Sequence, residues 1–287
     1  TRISVSPLIK DQAIKPVWTF KCEDEVRGSI CYDNGKIYCG SYDNNLYCLD
    51  ASSGEFMWKF PTTGGLVGKP VVDEGLVFVG SEDKNLYVVS TRTGKKSWSF
   101  QADGPIRSAP RIAEQHIFFG ADDGYLYAVN LISNRLTWRV DGGSAIRTTP
   151  FISKDFVYSG SELGDFFCAD FRGQVKWRFK AKRAITSSPL MEDGMVFFAS
   201  LDSQFYALDA KSGWIVWRFR MGKGSISSPA KSESSVVFGS ADNHIYCLEA
   251  NNAKEIWKFK TDHQVSGSPA IYNNAVYCGT ADGTMYC

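Results

Sequence analysis

Tryptophan recurs at Trp18, Trp58, Trp98, Trp138, Trp177, Trp217 and Trp257, with spacings of 40, 40, 40, 39, 40 and 40 residues. A period near 40 held through seven copies means one supersecondary unit used seven times, each burying its apolar face against the next. At that length the unit is a four-stranded propeller blade. The first copy shows how. Asp33-Asn34-Gly35, Asp43-Asn44-Asn45 and Ser52-Ser53-Gly54 separate apolar runs at Ile37-Tyr38-Cys39, Leu46-Tyr47-Cys48-Leu49 and Trp58-Lys59-Phe60. Asn, Asp and Gly supply the positive φ angles of tight hairpins, so each copy reads as an antiparallel meander. The expected fold is all-β, a seven-bladed β-propeller of four-stranded antiparallel blades.

Other columns keep step with the tryptophans. Twelve residues after each Trp come Pro70, Pro110, Pro150, Pro189, Pro229 and Pro269, with Ile30 the exception in the first copy. Proline has no N–H to give a ladder, so it belongs at a strand edge, here the innermost strand facing the channel. A Gly-Ser-x-Asp pattern or a close variant supplies Asp43, Asp83, Asp123, Asp202, Asp242 and Asp282, and the fourth copy has Leu163 instead. A catalytic carboxylate is needed once, whereas these recur, which makes them turn-stabilising. The last copy stops at Met285-Tyr286-Cys287, its third strand, while Pro16-Val17-Trp18-Thr19-Phe20 stands alone at the other end. Pairing the two would close the ring and satisfy both edges. Residues 1–15 then read as a linker or surface strand, and residues 16–287 as a single domain. The chain begins without Met and ends in mid-repeat, which suggests part of a longer polypeptide.

Composition excludes several classes. The net charge of +1 gives no global pull toward nucleic acid or an anionic membrane, so neither partner is expected. The longest apolar runs are strand-sized, so no membrane insertion is expected. Lys59, Arg139, Arg178, Arg218 and Lys258, with neighbouring Lys21, Lys180, Arg220 and Lys260, fall on outer strands, where charge blocks edge-to-edge pairing. His116, His244 and His263 occur singly, without metal-ligand spacing. Neither a phosphate loop nor a nucleophile elbow is present.

The columns resemble the quinoprotein-type, or PQQ-like, propeller repeat across nearly the whole chain. Ser-Pro before the second strand, Gly-Ser-x-Asp, Leu-Tyr-x-Leu-Asp-Ala and a Gly four residues before Trp carry the likeness. The closest copies of that family's tryptophan-docking motif run from Ala207 to Trp217, with Asp209, Ser212 and Gly213, and from Cys48 to Trp58, with Asp50, Ser53 and Gly54. Val88 to Trp98 has Ser90 for Asp, and Cys247 to Trp257 carries Glu249 and Ala253. The resemblance implies that each Trp stacks on a neighbouring repeat as a packing residue. Family members that use pyrroloquinoline quinone are dehydrogenases, holding it between a Trp and a vicinal disulfide beside a metal ion. This chain has no Cys-Cys pair, and its one Trp outside the column is Trp214. No non-repeating cluster of Asp, Glu and Asn suggests an ion site. The expectation is therefore a non-catalytic member: no catalytic residues, no cofactor and no metal. The family also includes a periplasmic scaffold that helps insert outer-membrane barrels, an alternative host for the same reading.

Eight cysteines invite a disulfide framework, but Cys39 and Cys278 share a column with Val79, Phe119, Phe198 and Phe238. Cys48, Cys168, Cys247 and Cys287 share another with Val88, Ala128 and Ala207. Cysteine in such columns behaves as a buried thiol, and free thiols with no visible signal peptide favour a cytoplasmic setting, a periplasmic or extracellular one staying open. Cys22 and Cys31 lie outside these columns.

One column breaks the symmetry. Three residues before the Pro position stand Arg27, Val67, Arg107, Arg147, Thr186, Ile226 and Ser266, with Lys69 and Arg183 nearby. Arginines converging on a channel mouth can take a carboxylate, a phosphate or an acidic peptide. Each could instead pair with a local acid such as Glu25, Asp103 or Asp141. The functional expectation is a protein-interaction or ligand-sensing module, its partner another protein, a peptide or another domain of the same polypeptide. The rival is a quinone-dependent dehydrogenase.

Overall fold

In the computed structural model the described residues are 15–287, and they form seven antiparallel sheets. The first contains β1 (Cys31–Asp33), β2 (Lys36–Gly40), β3 (Asn45–Asp50) and β4 (Phe56–Pro61), paired in that order. The second repeats it with β5 (Val71–Asp73), β6 (Leu76–Gly80), β7 (Asn85–Ser90) and β8 (Lys96–Gln101). Four more sheets follow the same plan, and the last has three strands, Ala270–Tyr272, Ala275–Gly279 and Met285–Tyr286. This is the seven-bladed β-propeller read from the repeat. Among the described residues no helix is long and apolar enough to cross a membrane.

Alternation along the two middle strands splits each blade between its neighbours. Val77 and Val79 pack with Tyr38, Leu46 and Leu66 of the blade before, whereas Phe78 between them packs with Ile117, Phe119 and Tyr127 of the blade after. The core is therefore a series of inter-blade layers. A β-bulge recurs where the outer strand pairs inward: Cys48 opposes Trp58, but Leu49 opposes Phe56. Skipping Met57 brings Trp58 and Phe60 onto the inward face, half-buried.

The turn aspartates bind more than their own turns. Asp83 accepts from the Asn85 N–H at 3.0 Å, the Tyr87 hydroxyl at 2.9 Å and the Thr63 N–H of the incoming connection at 3.0 Å. Asp43, Asp202 and Asp242 likewise accept from a tyrosine hydroxyl four residues on and from an incoming backbone N–H. In the fourth blade Leu163 N–H is taken by Ser144 Oγ at 2.9 Å.

Among the described residues no strand ladder is drawn between residues 16–20 and Met285–Tyr286. The segment nevertheless seats on the first blade: Trp18 Nε1 donates to Ala51 O at 3.0 Å, and Phe20 meets the Tyr47 ring edge-on at 5.4 Å. One expectation is corrected: Cys287, which shares a column with Cys48, Cys168 and Cys247, is exposed, whereas Cys39, Cys48, Cys168, Cys247 and Cys278 are buried. All eight cysteines are free, Cys22 and Cys31 being half-buried. Of the suggested linker at residues 1–15, all but Lys15 lies outside the described residues.

Candidate functional site

The inner strands surround an axial channel, and the connections reaching them from the outer strands run over one face beside the turns between each blade's second and third strands. Tyr42 N–H donates to Glu25 O and Glu82 N–H to Gly65 O across that face. Residues 27, 107 and 147 lie on these connections just before the inner strands, which places them at one mouth of the channel. A cavity of about 400 Å³ opens there, and Arg27, Lys69, Arg107 and Arg147 all line it. Arg183 does not, being exposed on the connection of the fifth blade. Arg111, the first residue of the third blade's inner strand (Arg111–Ala113), joins the lining. Sequence reasoning missed it because only one copy carries a charge in its column, where the others read Cys31, Val71, Phe151, Leu190, Ala230 and Ala270.

The arginines of the expected ring are committed to four acids, of which Glu25 alone is among those expected. Arg27 Nε lies 2.7 Å from Glu25, with its guanidinium 4.9 Å over the Tyr42 ring. Arg107 bridges Glu82, at 2.7 Å, and Asp122. Arg147 reaches the same Asp122 at 2.9 Å and Glu162 at 3.6 Å. The result is a relay from Glu82 to Glu162 around three blades. Asp103 instead pairs with Arg139, and Asp141 caps the Gly143 N–H. The acids come from the variable position of Gly-Ser-x-Asp, which reads Glu82, Asp122 and Glu162 here but Leu201, Ala241 and Ala281 in the last three blades. Leu201 and Ile226 are exposed there, so the mouth is half ionic and half apolar. Lys69 and Arg111, by contrast, form no ion pair among the described residues.

Deeper in, hydroxyls link the inner strands. Thr149 N–H donates to Ser188 Oγ at 3.0 Å, Ser188 N–H to Ser228 Oγ at 2.9 Å, and Ser228 N–H to Ser268 Oγ at 2.9 Å. The same column holds Lys69 and Ala109, and neither side chain can accept a hydrogen bond. The girdle is thus interrupted on one side, leaving the N–H groups of Ser29 and Lys69 without that partner. The Lys69 ammonium stands beside the gap and Arg111 lines the same cavity. Two free cations and unclaimed backbone donors in one concavity can take an anionic group. Burial pushes the Cys31 thiol up, against the pull of Lys69, and among the described residues no histidine lines the cavity. Nor do three or more His, Cys, Asp or Glu side chains gather there as metal ligands.

No curated protein sequence matches the chain. Among solved structures, BamB from Moraxella catarrhalis superposes with a TM-score of 0.82 at 18% identity, over 94% of this chain and 86% of that one. The computationally designed Ika8 protein gives a TM-score of 0.65 at 16% identity, over 92% of this chain and 96% of that one. At such identities the likeness is of fold. The sequence pattern of one family, described as beta-alanine-activating enzyme, beta-propeller, matches residues 72–287, and the chain belongs to that family.

Proposed function

We propose that this propeller is a binding module with no covalent chemistry of its own, and that it takes an acidic peptide segment at the channel mouth. The observation that supports it is the gap in the hydroxyl girdle, where Lys69, Arg111 and two unclaimed N–H groups share one cavity. The relay around Arg107 and Arg147 supports it differently, by holding a charged wall in place beside the gap. Exposed Leu201 and Ile226 across the mouth favour a peptide over a bare anion. The family is described as the propeller of a beta-alanine-activating enzyme, which favours a segment from another domain of the same polypeptide or from a protein working beside it.

The test is fluorescence anisotropy with a fluorescein-labelled peptide of alternating glutamate and leucine. Saturable binding is expected, weakened roughly tenfold by Lys69→Ala combined with Arg111→Ala, and weakened by added salt. Equal binding by the double variant ends this reading. Titration with pyrroloquinoline quinone and calcium separates the rival. Saturable quenching of tryptophan fluorescence, with turnover on an artificial electron acceptor, would replace a binding module with a dehydrogenase.

A further inference from the structure

Of the six tryptophans whose equivalent acceptor, 33 residues on, lies within the chain, one is out of place. Trp18, Trp58, Trp138, Trp177 and Trp217 donate their indole N–H to a carbonyl of the next blade, on Ala51, Thr91, Phe171, Ala210 and Ala250, at 2.8–3.1 Å. Trp98 makes no such bond to Leu131, the equivalent residue, and its indole N–H has no partner among the described residues. Its ring is also turned. It meets Phe78 at 6.4 Å and 74°, whereas Trp58, Trp138, Trp177 and Trp217 meet the equivalent aromatic residue at 5.7–6.0 Å and 45–48°.

The cause lies in the seat. Gly94 sits under the Trp58 ring with φ of 67°, and a Cβ there would come within 2.8 Å of the indole. Under Trp98 the equivalent residue is Asn134, with φ of 58°. Ala253 under Trp217 shows that a methyl alone is tolerated, because that indole keeps its 2.9 Å bond. The longer Asn134 side chain is what distinguishes the third seat. Beside the turned indole lies a cavity of about 420 Å³ between the second and third blades, walled by Leu76, Phe78, Trp98, Ile112 and Leu131. Its edge carries Asp73, Glu74 and Glu114, none in an ion pair among the described residues, and no Lys or Arg lines it. The cleft opens on the face opposite the basic mouth and shares no residue with it.

We propose that this cleft binds a small organic cation, an ammonium group carried on an apolar or aromatic body. The body fits against Trp98 and Phe78, whose ring faces attract positive charge, and the three carboxylates supply the countercharge. An aliphatic or aryl acid would meet only like charge at the edge.

The experiment follows the indole N–H signals in ¹H–¹⁵N spectra of the described chain, with Trp98→Phe assigning the Trp98 signal, during titration with 2-phenylethylammonium. A saturable shift of that signal is expected, with binding roughly tenfold weaker for neutral 2-phenylethanol and for the Asp73→Asn, Glu114→Gln double variant. Asn134→Gly restores the glycine seat and is expected to abolish binding while keeping or raising the melting temperature. An unmoved Trp98 signal, equal affinity for amine and alcohol, or undiminished binding by Asn134→Gly overturns the proposal. If Trp98→Phe fails to fold, the change that Asn134→Gly makes in the same signal identifies it.

Discussion

At the residue scale, repetition makes the chain its own control. Wherever the turn aspartate is present, a tyrosine stands four residues on, as with Asp43 and Tyr47 or Asp83 and Tyr87; where Leu163 replaces Asp, Phe167 replaces Tyr. Losing one partner alone would strand a half-buried hydroxyl or carboxylate, so the two change together. A second pair behaves alike. A Cβ on Gly120 would lie 2.2 Å from Ile146 Cγ2, and in the one described blade where Ala199 takes that glycine column, Ser225 takes the isoleucine column. Tyr87→Phe should therefore lower stability by about 2 kcal/mol, the worth of a charge-assisted hydrogen bond. Asp83→Asn in the Tyr87→Phe background should add less than it does alone. A double-mutant cycle in urea measures this, and strict additivity would mean the pair is uncoupled.

At the element scale, the turns tie stability to acid. Burial pulls Asp43 and Asp83 up, but donors from Tyr47, Asn45 and Glu23, and from Thr63, Asn85 and Tyr87, more than reverse it, leaving both below the ordinary carboxylate range. Hydrogen bonds from Ser52 and Ser53 bring Asp50 to about 2, and those from Thr280 and Thr284 do the same for Asp282. A depressed folded-state pKa stabilises the fold above the unfolded value, near 4, and that stabilisation is lost as pH falls through the folded value. The urea midpoint should be level above about pH 5 and drop steadily between about pH 4 and pH 2. A midpoint level down to about pH 3 would falsify it. Strand order, turn positions and the turn role of these aspartates were legible in the sequence, because each recurs with the period. What broke the period was harder to see. Arg111 in an apolar column, Lys69 and Ala109 in a hydroxyl column, and Asn134 in a glycine seat each look like drift until neighbouring blades bring them beside one another. The acid partners of Arg107 and Arg147 were misassigned for a related reason: nearness along the chain suggested Asp103 and Asp141, whereas Glu82, Asp122 and Glu162 face the arginines from turns 15 to 25 residues away.

At the scale of the whole molecule, the ring is held by contacts that each reach one blade forward, and Trp18 supplies that contact where the two ends meet. Trp18→Ala should cost about 2 kcal/mol, for a half-buried indole and its hydrogen bond to Ala51. Thermal melts of Trp18→Ala and Trp58→Ala should show comparable losses, and an unchanged melt for Trp18→Ala would mean that residues 16–20 do not close the ring. Seven near-identical blades would also offer an axial visitor seven equivalent bearings. The relay from Glu82 to Glu162 removes that freedom by giving the channel a compass heading. Turned toward the fifth or sixth blade, a guest sets its acid against Leu201 or Ala241 and loses its countercharge. Whatever docks here arrives at a single azimuth, and its chain must leave the rim in a single direction.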